Sequence, residues 1–193
     1  MNSNGNKDSV PGKLFVVSAP SGAGKTTLCT TLLLKFPRIS YSVSHTTRKP
    51  RKDEEHGKDY YFISIDDFEN KIKNNFWVEW AKVHGNYYGT SRRHLAGQLE
   101  QGMNVLLEID IKGAKQIKKI FPGAVTIFIM PPSTGVLEER LRSRATDTDE
   151  IIELRLKNAR AEMDQKHFYD YIVVNNDLDM ASREICNIVR ENL

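Results

Sequence analysis

A short apolar run, Leu14–Ser18 (LFVVS), leads straight into Ala19-Pro20-Ser21-Gly22-Ala23-Gly24-Lys25-Thr26-Thr27, and the stretch Thr27–Phe36 that follows is Leu-rich and stops before Pro37. The β-branched run predicts a buried strand and the Leu-rich stretch a helix. A glycine-rich turn between two such elements can wrap a phosphate in successive backbone N–H groups. Glycines let the backbone come close, and the helix N-terminus adds partial positive charge. In this arrangement Lys25 reaches the outer phosphates of a nucleotide and the Thr26 hydroxyl ligates Mg²⁺. The usual spacing G-x-x-x-x-G-K-[ST] has a glycine where this chain has Ala19. The mechanism stands provided that Ala19 can adopt the backbone angles the turn requires.

The strand-then-helix unit recurs. Asn104–Ile109 (NVLLEI) precedes a helical Lys112–Ile120, and Ala124–Met130 (AVTIFIM) precedes Ser133–Arg144. Tyr171–Val174 (YIVV) precedes Leu178–Glu191, and Ser40–Ser44 is a further strand candidate. Five apolar strands interleaved with helices predict an α/β fold, a parallel sheet with helices on both faces. Two stretches break the rhythm. His45–His94 mixes polar, aromatic and basic residues, with strand-like Tyr60–Ile63 and Trp77–Val83 around a helix starting near Ser64. It is expected to be an inserted α+β subdomain. Ser133–His167 is charged and helical apart from Ala145–Asp149 (ATDTD), and is expected to be a mobile flap.

Length allows one α/β domain, here residues 14–193, behind an Asn/Gly/Ser/Lys-rich tail, Met1–Lys13, expected to be disordered. No apolar run approaches the roughly 20 residues that cross a bilayer, and the N-terminus has no signal-peptide pattern. The expected location is the cytoplasm. Cys29 and Cys186 sit in apolar helical patterns without a CxxC partner, which predicts buried reduced thiols. A net charge of +3 suits anionic substrates and is poor evidence for nucleic-acid binding.

The inserted stretch carries Ser42-Val43-Ser44-His45-Thr46-Thr47-Arg48-Lys49-Pro50-Arg51, where two arginines straddle a stiffening proline and can converge on one anion. Then follow Gly57-Lys58-Asp59-Tyr60-Tyr61-Phe62, Phe76-Trp77-Val78-Glu79-Trp80, Gly85-Asn86-Tyr87-Tyr88-Gly89-Thr90 and Glu108-Ile109-Asp110. With the glycine-rich loop, these segments appear in the order and spacing of the guanylate kinases, which the chain resembles from Val16 to its C-terminus. The resemblance implies the P-loop NTPase fold: a five-stranded parallel core (14–44, 95–132 and 168–193), a GMP-binding subdomain (45–94) and a helical lid (133–167).

It also implies roles. Residues Ala19–Thr27, with Asn175 near the adenine, hold ATP, and Mg²⁺ sits at Thr26. Arg48, Arg51, Tyr60 and Tyr88 hold the GMP phosphate. Ser44, Glu79 and Thr90 read the guanine, with Glu108 and Asp110 beside the acceptor. A carboxylate such as Glu79 can accept from both N1–H and N2–H₂ of guanine, a donor pair adenine lacks. A hydroxyl of Ser44 or Thr90 can donate to O6 or N7. Glu108 and Asp110, two apart at a strand end, are expected on one face. Arg140 and Arg144, four apart on a helix, and Arg155 on the next are implied to fold over the triphosphate, joining Lys25 and Arg48 in catalysis. Arg142, four residues after Glu138, and Arg160 are expected to be ordinary helix salt-bridge partners. Tyr61 and Tyr87 are expected to pack.

The implied reaction is transfer of the ATP γ-phosphate to GMP, with dGMP as a further acceptor. Neither nucleic acid nor membrane is implied as a partner, and monomer and homo-oligomer both stay open. Two other readings compete: a non-catalytic peptide-binding module of the same fold, and a kinase for a different phosphorylated acceptor.

Overall fold

The computed structural model describes residues 10–83, 85–143 and 148–193. Arg144, most of the tail expected to be disordered (1–9) and part of the helix break expected at Ala145–Asp149 (145–147) lie outside the described residues. In chain order the first elements are β1 (Leu14–Ser18), α1 (Lys25–Lys35), β2 (Ile39–Tyr41), β3 (His45–Thr46), β4 (Tyr61–Phe62), α2 (Ile65–Lys73), β5 (Trp77–Val83) and β6 (Asn86–Ser91). Then come α3 (Arg92–Glu100), β7 (Asn104–Glu108), α4 (Ile111–Ile120), β8 (Val125–Met130), α5 (Thr134–Arg142), α6 (Asp149–Met163), β9 (Tyr171–Val174) and α7 (Leu178–Asn192).

Apolar strands buried on both faces make the centre. They are β1, β7 and β8, flanked by the edge strands β2 and β9 in one five-stranded parallel sheet of order β2-β7-β1-β8-β9. Side chains alternate across a strand, so β1 serves two cores. Phe15 and Val17 pack with Leu28 and Leu32 of α1 and Ile185 and Val189 of α7. Leu14 and Val16 pack with Leu95 and Leu99 of α3 and Ala114 and Ile117 of α4. The register pairs Val17 with Glu108, so the chain leaves β1 and β7 side by side at the carboxyl edge of the sheet. That edge is where ligands bind in open α/β sheets.

A second, four-stranded sheet, β4-β3-β6-β5, comes wholly from the inserted stretch. β5 and β6 pair antiparallel, as do β3 and β6, while β3 and β4 run parallel. The Ser64 hydroxyl caps α2 by accepting from the Asp67 N–H, which directs Phe68 inward. Phe68 is fully buried and stacks between Trp77, at 4.3 Å between ring centroids, and Tyr87, at 5.0 Å. The small sheet docks on the large one through Gln116 of α4, whose amide accepts from Trp80 N at 3.2 Å and donates to Trp80 O at 2.8 Å. α5 and α6 pack on each other through Leu137, Leu141, Ile152, Leu156 and Ala159.

Some sequence expectations shift. β2 ends at Tyr41, short of the expected Ser44, because Ser42 N makes a last bond to Leu106 O before the chain departs for the second sheet. β7 ends at Glu108, and Asp110 turns into the N-cap of α4 instead of continuing the strand. β6 and α3 cover residues that sequence patterning left without a secondary-structure assignment. Cys29 and Cys186 are free and buried, and Arg142 pairs with Glu138 at 2.9 Å.

Phe68 is the one buried side chain of α2. Phe68→Ala is expected to cost about 3–5 kcal/mol, lowering the urea midpoint for loss of near-ultraviolet Trp and Tyr signals. A cost under about 1 kcal/mol would contradict this account of how the second sheet is anchored.

Candidate active site

The glycine-rich turn leaves β1 and enters α1 with two residues in the left-handed region, Gly22 at φ 92° and Gly24 at φ 91°. Ala19 is not among the positive-φ residues, so the alanine needs no special conformation there. A side chain at Gly22 would reach Leu137 Cδ1 at 3.0 Å, and one at Gly24 would overlap the Asn175 amide. The turn is thus packed from below by α5 and by the end of β9. α1 starts at Gly24 without a side-chain cap, which leaves its first N–H groups for another acceptor.

Asn175 ties the turn down. It is buried, donates from Nδ2 to Ala23 O at 2.8 Å and from its backbone to Met130 O at 2.7 Å. Its carbonyl accepts from Arg140 Nη2 at 3.0 Å. Lys25 Nζ donates to Ile109 O at 3.4 Å and lies 3.9 Å from Glu108 Oε1. The Thr26 hydroxyl donates to the same Glu108 oxygen at 2.7 Å. The loop and the acids after β7 therefore form one unit, as the Val17–Glu108 register requires.

Between the two sheets lies a cavity of about 190 Å³. Lys25, Ser44, Tyr60, Glu79, Tyr88, Glu108 and Asp110 line it, together with Val83 and Ile109. These residues come from six separate stretches of the chain. A neighbouring cavity of about 310 Å³ shares Tyr60 and Glu108 and adds Thr26 and Arg51. Asp110 faces the first cavity while its Oδ1 caps α4, accepting from Lys112 N at 2.6 Å and Gly113 N at 3.1 Å.

Glu79 is the most unusual group in the cleft. Only 3% of it is exposed, and its Oε1 accepts from the Thr90 hydroxyl at 2.6 Å. Burial is the main cause that pushes its carboxyl up to about 7; the Thr90 bond opposes the rise and the Asp110 charge adds to it. Since a hydroxyl has one hydrogen and Thr90 directs it at Glu79, Thr90 acts as the carboxylate's anchor. Ser44, at the cavity wall, remains the hydroxyl able to donate to a ligand.

Arg48, Tyr60 and Tyr88 form a second group. The Arg48 guanidinium carbon lies 5.5 Å from the Tyr60 ring centroid, and the two tyrosine rings are 6.0 Å apart. Burial, then the Glu108 charge, pushes the Tyr60 hydroxyl up to about 12, which keeps it a neutral donor. Glu54, which the sequence reading passed over, binds Arg48 Nη2 at 2.7 Å and accepts from Arg51 N at 2.8 Å. It braces the turn that carries both arginines, and the Arg48 bond holds its own carboxyl below the usual range. An acid three residues after one arginine and six after the other was the available signal. Tyr61 stacks on His45 and Tyr87 on Phe68, both in packing positions.

Arg140 and Arg155 are not among the residues that line these two cavities. Arg140 is engaged with the Asn175 carbonyl, and Arg155 is half-buried on α6. Among the described residues no helix is long and apolar enough to cross a membrane.

Comparison with known proteins agrees with the architecture. The family model for guanylate kinase matches residues 11–192. A guanylate kinase of Chromobacterium violaceum is 50% identical over 93% of this chain and 85% of its own length. One from Geobacter metallireducens is 48% identical over 92% and 88%. The crystal structure of guanylate kinase from Anaplasma phagocytophilum superposes with a TM-score of 0.77 at 38% identity, covering 94% of this chain and 86% of that one. The chain belongs to the guanylate kinase family.

Proposed function

We propose that this protein is an ATP:GMP phosphotransferase of purine nucleotide metabolism, and that Glu79 selects the acceptor. The observation that carries the proposal is that the loop lysine and a buried carboxylate open into one cavity. A GMP phosphate oxygen attacks the γ-phosphorus, the bond to the β–γ bridging oxygen breaks, and ADP leaves. No protein nucleophile is needed, because such transfers rest on positioning and charge stabilisation.

In this reading the loop amides of residues 19–27 and Lys25 hold the ATP phosphates. Arg48, Arg51, Tyr60 and Tyr88 hold the GMP phosphate in line, and Glu79 and Ser44 read the base. The oxygen-only donors at Thr26 and Glu108, 2.7 Å apart, suit a hard cation. Mg²⁺ held at Thr26 would neutralise charge on the transferring phosphate. The inserted subdomain (45–94) and lid (133–167) act as movable parts on the core. Lid closure brings Arg140, Arg144 and Arg155 to the triphosphate and excludes water. Asn175 supports ATP binding through its bond to the loop. Family membership and the intact Lys25–Thr26–Glu108 cluster favour catalysis over a peptide-binding module. The free thiols Cys29 and Cys186 accord with a cytoplasmic setting. dGMP belongs to the same proposal as a further acceptor.

Lys25→Ala is expected to lower kcat by about 10²–10³-fold in a coupled ADP-release assay; near-normal turnover would refute the role given to the loop. The pH profile gives a second test. Guanine donors need the ionised carboxylate, and free Glu79 titrates at about 7. Protonation therefore opposes GMP binding, so kcat/KM for GMP should fall about tenfold per unit below pH 7 and level off above about 8. The GMP phosphate itself titrates near about 6, so the control is Glu79→Gln, in which the limb near 7 should vanish. Persistence of that limb in the variant would assign it to another group.

A further inference from the structure

Gly113 occupies the third position of α4, facing β5, and is buried. Its backbone is not in the left-handed region, so nothing in its own conformation calls for glycine. In a helix interior glycine is less favourable than alanine. Space accounts for the residue. A Cβ at position 113 would fall inside contact distance of Glu79 Oε2 and stand 3.1 Å from Glu79 Cδ and 3.4 Å from Ile109 Cδ1. The missing side chain is the slot in which the Glu79 carboxylate lies.

The other side of that carboxylate is also fixed. Oε1 takes the Thr90 hydroxyl at 2.6 Å, and the strand carrying Glu79 is tied to α4 by the two Gln116 bonds at Trp80. Gly113 donates its own N–H to Asp110 Oδ1, so the turn that forms the slot is capped by a residue lining the same cavity. Thr90 in front and α4 behind hold the carboxylate in this position.

We infer that Gly113 is a positioning residue for acceptor selectivity: its lack of a side chain seats the Glu79 carboxylate at the base-reading position. This rests on the proposal that Glu79 reads guanine. A methyl group at 113 pushes the far end of the Glu79 side chain, which can rotate away without moving the helix. The consequence falls on recognition and leaves folding intact.

The test compares kcat/KM for GMP with that for IMP, whose base lacks the 2-amino group, in wild type, G113A, E79A and the double variant G113A/E79A. The expected result is that G113A lowers the GMP/IMP ratio by about tenfold or more, with KM for ATP within about twofold of wild type and a melting temperature at or above it. In the E79A background, where the carboxylate is gone, adding G113A should change the ratio no further. A wild-type ratio in G113A together with a collapsed ratio in E79A overturns this inference and leaves the guanine-reading proposal standing. An equal loss from G113A in both backgrounds also overturns it, since the glycine would then act without Glu79. A wild-type ratio in E79A overturns the guanine-reading proposal, and this inference with it.

Discussion

A carboxylate removed from water at the seam between two sheets sets the terms for the rest of this molecule. Ionised, Glu79 needs more than the Thr90 hydroxyl to replace its lost hydration, and burial raises its affinity for a proton accordingly. Two things can satisfy it: a proton, or a ligand edge carrying two donors. The proposal is that the fold provides for the second. β5 brings the carboxylate to the cavity, β6 supplies Thr90, and α4 presents a glycine where any other residue would intrude. Selectivity of this kind comes from the penalty of leaving a buried group unpaired, which is larger than the gain from any one contact.

The large sheet solves a different problem, that of bringing anionic groups together. Its parallel strands release their carboxyl ends on one edge, and the loops after β1, β7 and β9 meet there. The loop after β1 would bind phosphate through its backbone, but a backbone loop needs support to hold its shape. It receives that from Asn175 on one side and from Leu137 and Leu141 under Gly22 on the other. Arg140 is linked to the same point through the Asn175 carbonyl. α5 therefore rests on the loop that is proposed to hold the donor, and α6 packs on α5.

How much of this could be read in the sequence varied with the physical signal. β1 and β9 were legible to the residue because they are unbroken apolar runs between turn-forming neighbours. β6 was not, because Asn86–Ser91 has the composition of a binding segment and its strand character comes from pairing with β5. α3 begins Arg92-Arg93-His94, with little apolar periodicity to announce it. Alternation predicted Glu108 and Asp110 on one face; both do face the cavity, but Asp110 arrives there as a helix cap. Loop, basic turn and aromatic segments were legible as motifs. Their supports were harder to see. Asn175 acts through a bond to Ala23, 152 positions away, and Gly113 through space shared with Glu79, and a single sequence displays no such pairing. A glycine inside a helical pattern was the one local hint for Gly113.

The central claim, that a buried carboxylate changes its protonation to meet the base, can be measured at the atom concerned. The ¹³C resonance of the Glu79 carboxyl, followed against pH in protein labelled at glutamate and assigned with Glu79→Gln, should titrate with a midpoint at about 7 in the free protein. With saturating GMP the midpoint should fall by at least about one unit, because the donors of guanine stabilise the ionised form. A midpoint that GMP leaves unchanged, or moves upward, would contradict the account.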